Sequence, residues 1–275
     1  MFGLKALKSG SKTFVMGVIN VTPDSFSGDG VGSDLEALNN KVLNFIRDGA
    51  DILDVGGEST RPPSLYEGVV PVSSEEELKR IIPAISSITS NTNVPVSIDT
   101  YKAEVALAAI HAGASIVNDI WGLQKDPGLA AVVADTGVGV VLTHNTKTPC
   151  YKDVVQDTVS SLLMMVDDAV KKGVKKESIV IDPGIGFGKN ANQNLEILRR
   201  LDEYKVVGRP IMVGTSRKST IGKVLDLPVE ERLEGTAATV ALAISKGADI
   251  VRVHDVKEMA RVSKMSDAIV RGWKQ

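Results

Sequence analysis

Asp99 and Asp182 each close a short apolar run, "VPVSID" and "SIVIDP". Carboxylates so placed are expected to face a partly desolvated cavity, where they accept hydrogen bonds strongly or titrate high. Asn118, at the end of "ASIVND", adds an amide that both donates and accepts. Two acidic acceptors with an amide suit the amidine-like edge of a heterocycle that presents N–H and C=O groups side by side. Further on, "GTSRKST" brings Arg217, Lys218 and several hydroxyls into one turn, a grip for an anion or a ring carbonyl. Its Gly and Lys spacing is not that of a P-loop. In "DIVRVHD", Arg252 and His254 alternate along one strand and so share a face, which points to a phosphate ligand. Position by position there are plainer readings: Asp and Asn start turns or cap helices, and His254 could be a satisfied core histidine.

Something must bring these residues together. Eight Val- and Ile-rich runs recur along the chain: "FVMGVI", "DILDVG", "VPVSID", "ASIVND", "GVGVVLTH", "SIVIDP", "PIMVG" and "DIVRVH". Segments of helical spacing separate them, among them "EEELKRIIPAISSI", "KAEVALAAIHAG" and "RLEGTAATVALAISKGA". Near-continuous apolar strands imply burial on both faces, as in a parallel sheet covered by helices. Eight repeats in 275 residues match a single-domain α/β fold, a (β/α)8 barrel spanning residues 1–275, with a doubly wound open sheet as the alternative. The glycines of "RDGAD", "HAGAS", "KKGVK" and "SKGAD" are placed as left-handed helix caps. In a barrel, Asn20, Asp54 with Glu58, Asp99, Asn118, His144, Asp182, Lys218 and Arg252 with His254 converge on the rim at the strands' carboxyl ends.

Composition narrows the ligand. A formal charge of -2 gives no global basic field to recruit nucleic acid or an anionic membrane, so an anionic small molecule has to be held by local cations. Apolar runs such as "AAVVADTGVGVVL" are interrupted before they reach membrane-spanning length, and "MFGLKALKSG" lacks the apolar core of a signal peptide. A cytoplasmic protein is expected. Cys150 is the one cysteine, which rules out an internal disulfide and a multi-cysteine metal cluster. Two stretches, "NVTPDSFSGDG" and "GGESTRPP", carry more Pro, Ser, Asp and Gly than a minimal connection needs. They read as mobile loops over the rim, with Asp24 and Arg61 placed to link them over a bound substrate.

Seven blocks, "NVTPDSFS", "DVGGESTRP", "SIDT", "IVNDI", "IDPGIGFGK", "GTSRKS" and "VRVHD", in this order resemble the dihydropteroate synthase family of folate biosynthesis. The resemblance covers nearly the whole chain. It implies the same barrel and a transferase that condenses 6-hydroxymethyl-7,8-dihydropterin diphosphate with p-aminobenzoate to give 7,8-dihydropteroate and pyrophosphate, assisted by Mg²⁺. It also implies a homodimer and a set of roles. Asp99, Asn118, Asp182, Lys218 and Arg252 would hold the pterin, with Asp99, Lys218 and Arg252 the catalytic group. Asn20, Arg252 and His254 would receive the diphosphate, Asn20 being the magnesium contact. Phe26, Thr60, Pro62, Phe187, Lys218 and Ser219 would take p-aminobenzoate. Three features depart from the family pattern: "SFSGDG" for the usual "SFSDGG", a longer "TRPPSLYEGVVPVS", and Thr143 in place of Met. Methyltetrahydrofolate–corrinoid methyltransferases share a similar barrel, and a non-catalytic pterin-binding homologue is a further alternative.

Overall fold

A computed structural model describes residue 10 and residues 12–21, 34–58 and 72–273. The eight expected runs form eight parallel strands: β1 (Phe14–Asn20), β2 (Ile52–Gly56), β3 (Val96–Asp99), β4 (Ile116–Asp119), β5 (Gly139–Thr143), β6 (Ile179–Asp182), β7 (Met212–Val213) and β8 (Ile250–Val253). Their lateral order is β6-β5-β4-β3-β2-β1-β8-β7. Ile181 bridges to Ile211, and its N–H donates to the Pro210 carbonyl at 3.0 Å, so the two ends of this order meet. The ring is closed through that bridge, and the open doubly wound alternative falls away.

The helices α1 (Leu35–Asp48), α2 (Ser74–Asn91), α3 (Ala103–His111), α4 (Leu129–Thr136), α5 (Val154–Lys171), α6 (Ala191–Arg199), α7 (Ser219–Leu225), α8 (Leu233–Lys246) and α9 (Val256–Val270) surround the strands. Local chemistry sets their ends. Asp34 accepts hydrogen bonds from the backbone N–H groups of Glu36 and Ala37, capping α1, while Gly49 beyond its last turn has φ 107°. Gly247 ends α8 in the same left-handed way at φ 108°. Strand and helix alternate once per repeat except after β7, where the short α7 precedes α8.

Strand alternation divides the interior in two. Phe14, Met16, Ile52, Ile116, Val141, Val180, Met212 and Ile250 pack together inside the barrel as an apolar floor. The residues between them, such as Val15, Leu53, Val117, Val140, Ile181 and Val251, face outward into a second core shared with the helices. Burying an aliphatic side chain of this size stabilises the fold by roughly 1.5–3 kcal/mol. Because side chains repeat every second residue, the position two beyond each floor residue also points inward. Those positions are Asp54 after Ile52, Asn118 after Ile116, Thr143 after Val141, Asp182 after Val180 and Arg252 after Ile250. The floor therefore carries a polar layer on its carboxyl-end side.

Candidate active site

The centre of this layer is one guanidinium between two carboxylates. Arg252 donates from Nε to Asp54 Oδ2 at 2.6 Å and from Nη2 to Asp99 Oδ2 at 2.7 Å. Asn118 Nδ2 donates to the same Asp54 oxygen at 3.1 Å. Asp54, Asp99 and Asn118 are all buried, at 0%, 3% and 2% exposure. Burial pushes the Asp99 carboxyl up to about 7, against the pull of Arg252. Burial also opposes the charge on Arg252, but Asp54 and Asp99 outweigh it and hold the guanidinium protonated above its ordinary range.

Within this cluster the second oxygens of Asp54 and Asp99 and the amide oxygen of Asn118 have no hydrogen-bond partner, and neither does Ser97 Oγ. An unpaired buried acceptor costs about 1–3 kcal/mol. Three of them at adjoining strand ends form a row of acceptors that ligand N–H groups would satisfy. Three sequence-predicted pterin residues, Asp99, Asn118 and Arg252, are thus brought into one hydrogen-bonded network. Asp54, which the sequence marked only as a strand end, joins them as the shared acceptor.

Beside the cluster, burial raises the Asp182 carboxyl, with Lys218 and the Gly184 N–H restraining the shift. Asp182 Oδ1 accepts from that N–H at 2.7 Å. Burial lowers the Lys218 ammonium to about 8, with Asp182 opposing. Lys218 donates to the Ile185 carbonyl and lies 4.7 Å from the centroid of the Phe187 ring. A side chain made cationic only below about 8 predicts an alkaline limb in the pH profile of kcat/KM. Activity should fall as pH rises through that value, and Lys218→Arg should carry the limb to higher pH. A steady-state profile of both proteins checks this, and an unmoved limb in the variant would assign it elsewhere.

The loop from Gly184 to Gly188 is held against the end of β5. A Cβ on Gly184 would fall 1.9 Å from the His144 carbonyl oxygen, and Gly184 has φ 74°, so only glycine fits. Lys189 donates to the carbonyls of Gly184 and Phe187, at 3.1 and 2.9 Å, and to that of His144 at 3.3 Å. It also lies 3.0 Å from His144 Nδ1. Burial pulls Lys189 down to about 7, and burial with the Lys189 charge pulls His144 down to about 3. His144 is therefore a neutral imidazole at physiological pH. Sequence reasoning passed over Lys189, which reads as one more charge at a loop end.

Three strand-end residues do other work. Glu58 turns from the rim to Lys102, whose ammonium also binds Glu77 and the Val72 carbonyl, at 2.7, 2.6 and 2.5 Å. Arg217, expected beside Lys218 as an anion grip, pairs instead with Asp255 at 2.6 Å. His144 is buried against Lys189. His254 lies 3.0 Å through Nδ1 from Ser216 Oγ, and its backbone N–H donates to the same oxygen at 3.1 Å. Ser219 is the first residue of α7, directly after Lys218. Phe26, Thr60 and Pro62, with Asp24 and Arg61, lie outside the described residues.

Asn20 closes β1. Its Oδ1 and Asp99 Oδ2 each lie 3.9 Å from the point a Cβ on Gly56 would occupy, so both oxygens border the same glycine. Among the described residues no group of three or more His, Cys, Asp or Glu side chains could enclose a metal. One hard amide oxygen nonetheless fits Mg²⁺, which is commonly held by one or two protein oxygens together with substrate phosphates and water. At the opposite end of the barrel a cavity of about 790 Å³ is bordered by Arg209, Asp249 and Arg271. The three are engaged with the protein: Arg209 with the Lys176 carbonyl, Asp249 with the Ile211 N–H and Arg271 with Asp267.

A closed barrel with a buried acceptor row and adjacent cations at its carboxyl-end rim is built to hold a heterocycle with N–H donors. The family described as pterin binding enzyme matches residues 16–254. Within that class, the dihydropteroate synthase of Bacillus subtilis is 51% identical over 265 residues, covering 96% of this chain and 91% of the relative. The structure is similar to that of the Clostridium difficile dihydropteroate synthase in the presence of pteroic acid, with a TM-score of 0.89, 47% identity and coverage of 98% and 100%. It is also similar to the Xanthomonas albilineans dihydropteroate synthase with 4-aminobenzoic acid, with a TM-score of 0.87, 40% identity and 94% coverage of each chain. This chain belongs to the dihydropteroate synthase family. The corrinoid methyltransferase alternative is thereby set aside.

Proposed function

We propose that this protein condenses 6-hydroxymethyl-7,8-dihydropterin diphosphate with p-aminobenzoate, releasing pyrophosphate and 7,8-dihydropteroate. The observation that carries the reading is the row of unpartnered acceptors on Asp54, Asp99 and Asn118. The aminopyrimidinone edge of a pterin offers N–H donors to such a row, and its ring carbonyl suits the Lys218 ammonium. Asp182 supplies a further carboxylate beside Lys218. Arg252, anchored by two carboxylates, is the cation available to the leaving diphosphate and the side chain that would cover one ring face. His254 and Asn20 complete the diphosphate end.

The reaction forms a C–N bond to the pterin methylene as its C–O bond breaks, and the pyrophosphate leaves with the bonding pair. The methylene becomes electron-poor as the leaving group departs, and the ring delocalises that deficit. A buried Asp99 carboxylate stabilises the developing positive charge. The aromatic amine is neutral and nucleophilic at physiological pH, and it loses a proton on forming the weakly basic arylamine product. Positioning by Phe187, Lys218 and Ser219 therefore contributes more than a strong general base. Mg²⁺, when bound, supplies Lewis-acid stabilisation of the leaving diphosphate, with the Asn20 amide oxygen as its protein contact. Phe26, Thr60 and Pro62 belong to the same proposal as contacts of the aromatic amine.

The proposal includes a cytoplasmic homodimer. Among the described residues no helix is long and apolar enough to cross a membrane. Met265 and Ile269, one helical turn apart on α9, are exposed at 62% and 72%, and Leu242 on the neighbouring α8 at 61%. These side chains support packing against a second copy, and a monomeric mass by analytical ultracentrifugation would overturn it.

Pyrophosphate release tests the activity. With the pterin diphosphate and Mg²⁺, release should depend on p-aminobenzoate and be matched by an equal amount of dihydropteroate. Pterin binding without release under either condition would make the protein a non-catalytic homologue.

A further inference from the structure

Among the described residues, two separate loops supply those assigned to the aromatic amine: Phe187 follows β6, whereas Lys218 and Ser219 follow β7. Their relative position has to be held by something, and Asn194 is built to do so. It sits in the first turns of α6, 2% exposed, on a helix fixed at its start by reciprocal capping between Asn190 and Gln193. Its side chain is divided between the two loops. Oδ1 accepts the Gly186 N–H at 2.9 Å, and Nδ2 donates to Thr220 Oγ1 at 2.9 Å. Gly186 is the neighbour of Phe187, and Thr220 follows Ser219 in the first turn of α7.

The orientation of this amide is determined by its partners. A backbone N–H can only donate, so the carbonyl end must face Gly186 and the NH₂ end must face Thr220. Gly186 also packs closely on the Lys218 side chain. A Cβ on Gly186 would stand 3.1 Å from Lys218 Cδ, so displacement of either loop by a fraction of an ångström changes the packing of Phe187 on Lys218.

We infer that Asn194 is a positioning residue that couples the Phe187 loop to the Lys218–Ser219 turn and thereby sets the affinity for the aromatic amine. The inference rests on the proposed synthase activity for its kinetic consequence, but the coupling itself does not. Asn194→Leu removes both hydrogen bonds. Asn194→Asp keeps two acceptors, one for the Gly186 N–H and one for the Thr220 hydroxyl turned to donate. Thr220→Val removes only the second link.

Hydrogen exchange at the Gly186 amide and steady-state kinetics, both on the full chain, test this together. Asn194→Leu should speed Gly186 exchange and raise KM for p-aminobenzoate by roughly 5–10-fold, the worth of about one hydrogen bond, with kcat changed much less. Asn194→Asp should remain near wild type in both. Thr220→Val should raise KM without speeding Gly186 exchange, and adding it to Asn194→Leu should cost nothing more. An unchanged KM in folded Asn194→Leu, or a raised KM with Gly186 exchange unaltered, overturns the inference. If Asn194→Leu does not fold, an unchanged KM in Thr220→Val does so. If wild-type protein makes no dihydropteroate, the synthase reading fails, and unaltered Gly186 exchange in Asn194→Leu still decides against the coupling.

Discussion

Replacing Arg252 by Met should abolish most activity and lower stability in a pH-dependent way. The guanidinium is the shared partner of Asp54 and Asp99, and the two carboxylates are almost wholly buried. Removing one member of a buried ion pair typically costs about 3–5 kcal/mol, because a charge is left without compensation. Arg252 keeps 21% side-chain exposure, which favours the low end, about 3 kcal/mol. That corresponds to a fall in Tm of roughly 6–12 °C for a domain of this size. The loss in kcat/KM should be on the order of 10³-fold, since a preorganised cation at the leaving group disappears as well.

The sign of the pH dependence follows from Asp99. Its folded pKa, about 7, already lies above the ordinary 3.8, and loss of Arg252 raises it further. A group raised on folding contributes stability that is present below its unfolded pKa and lost as pH rises through the folded value. At pH 5 Asp99 is neutral in both proteins. At pH 8 it is ionised and paired in the wild type, whereas in the variant it either stays neutral or is ionised without a partner. The deficit should therefore be larger at pH 8 than at pH 5. Denaturant melts at the two pH values measure this, and a deficit equal at both would show that the lost pairing with Asp99 is not its cause.

Asp99→Asn should separate catalysis from folding. The side chain keeps its shape, Arg252 retains Asp54, and the burial penalty on the Asp99 charge is relieved, so stability should change by no more than about 1 kcal/mol. Turnover should fall by about 10²–10³-fold, because the developing positive charge on the ring loses its buried counter-charge. The wild-type acid limb of kcat/KM, expected as pH falls through about 7, should disappear in the variant. Wild-type turnover by Asp99→Asn would exclude the electrostatic role.

Strand ends and their polar residues were legible in the sequence for a physical reason. A parallel barrel imposes a period of two, so Ile52, Ile116, Val180 and Ile250 mark which residue points inward, and the next inward residue is Asp54, Asn118, Asp182 or Arg252. Helix termini were equally legible, because Gly49 and Gly247 adopt backbone angles that other residues rarely tolerate. Such signals are local, written within a few residues.

What the tertiary structure alone decided is pairing. Arg252 reaches Asp54 and Asp99 across 198 and 153 residues, and nothing along the chain distinguishes those partners from Asp182 or Asp255. Glu58 and Arg217 carry the right charge at the right strand ends, yet Lys102 and Asp255 divert them. Lys189 gave no signal because it acts chiefly on backbone carbonyls, which every sequence contains, and Asn194 gave none because its partners, the Gly186 N–H and the Thr220 hydroxyl, are named only by the fold. Periodicity determines which way a side chain points. Only the closed ring, which sets every strand end at a fixed height and angle around one axis, determines what it meets there.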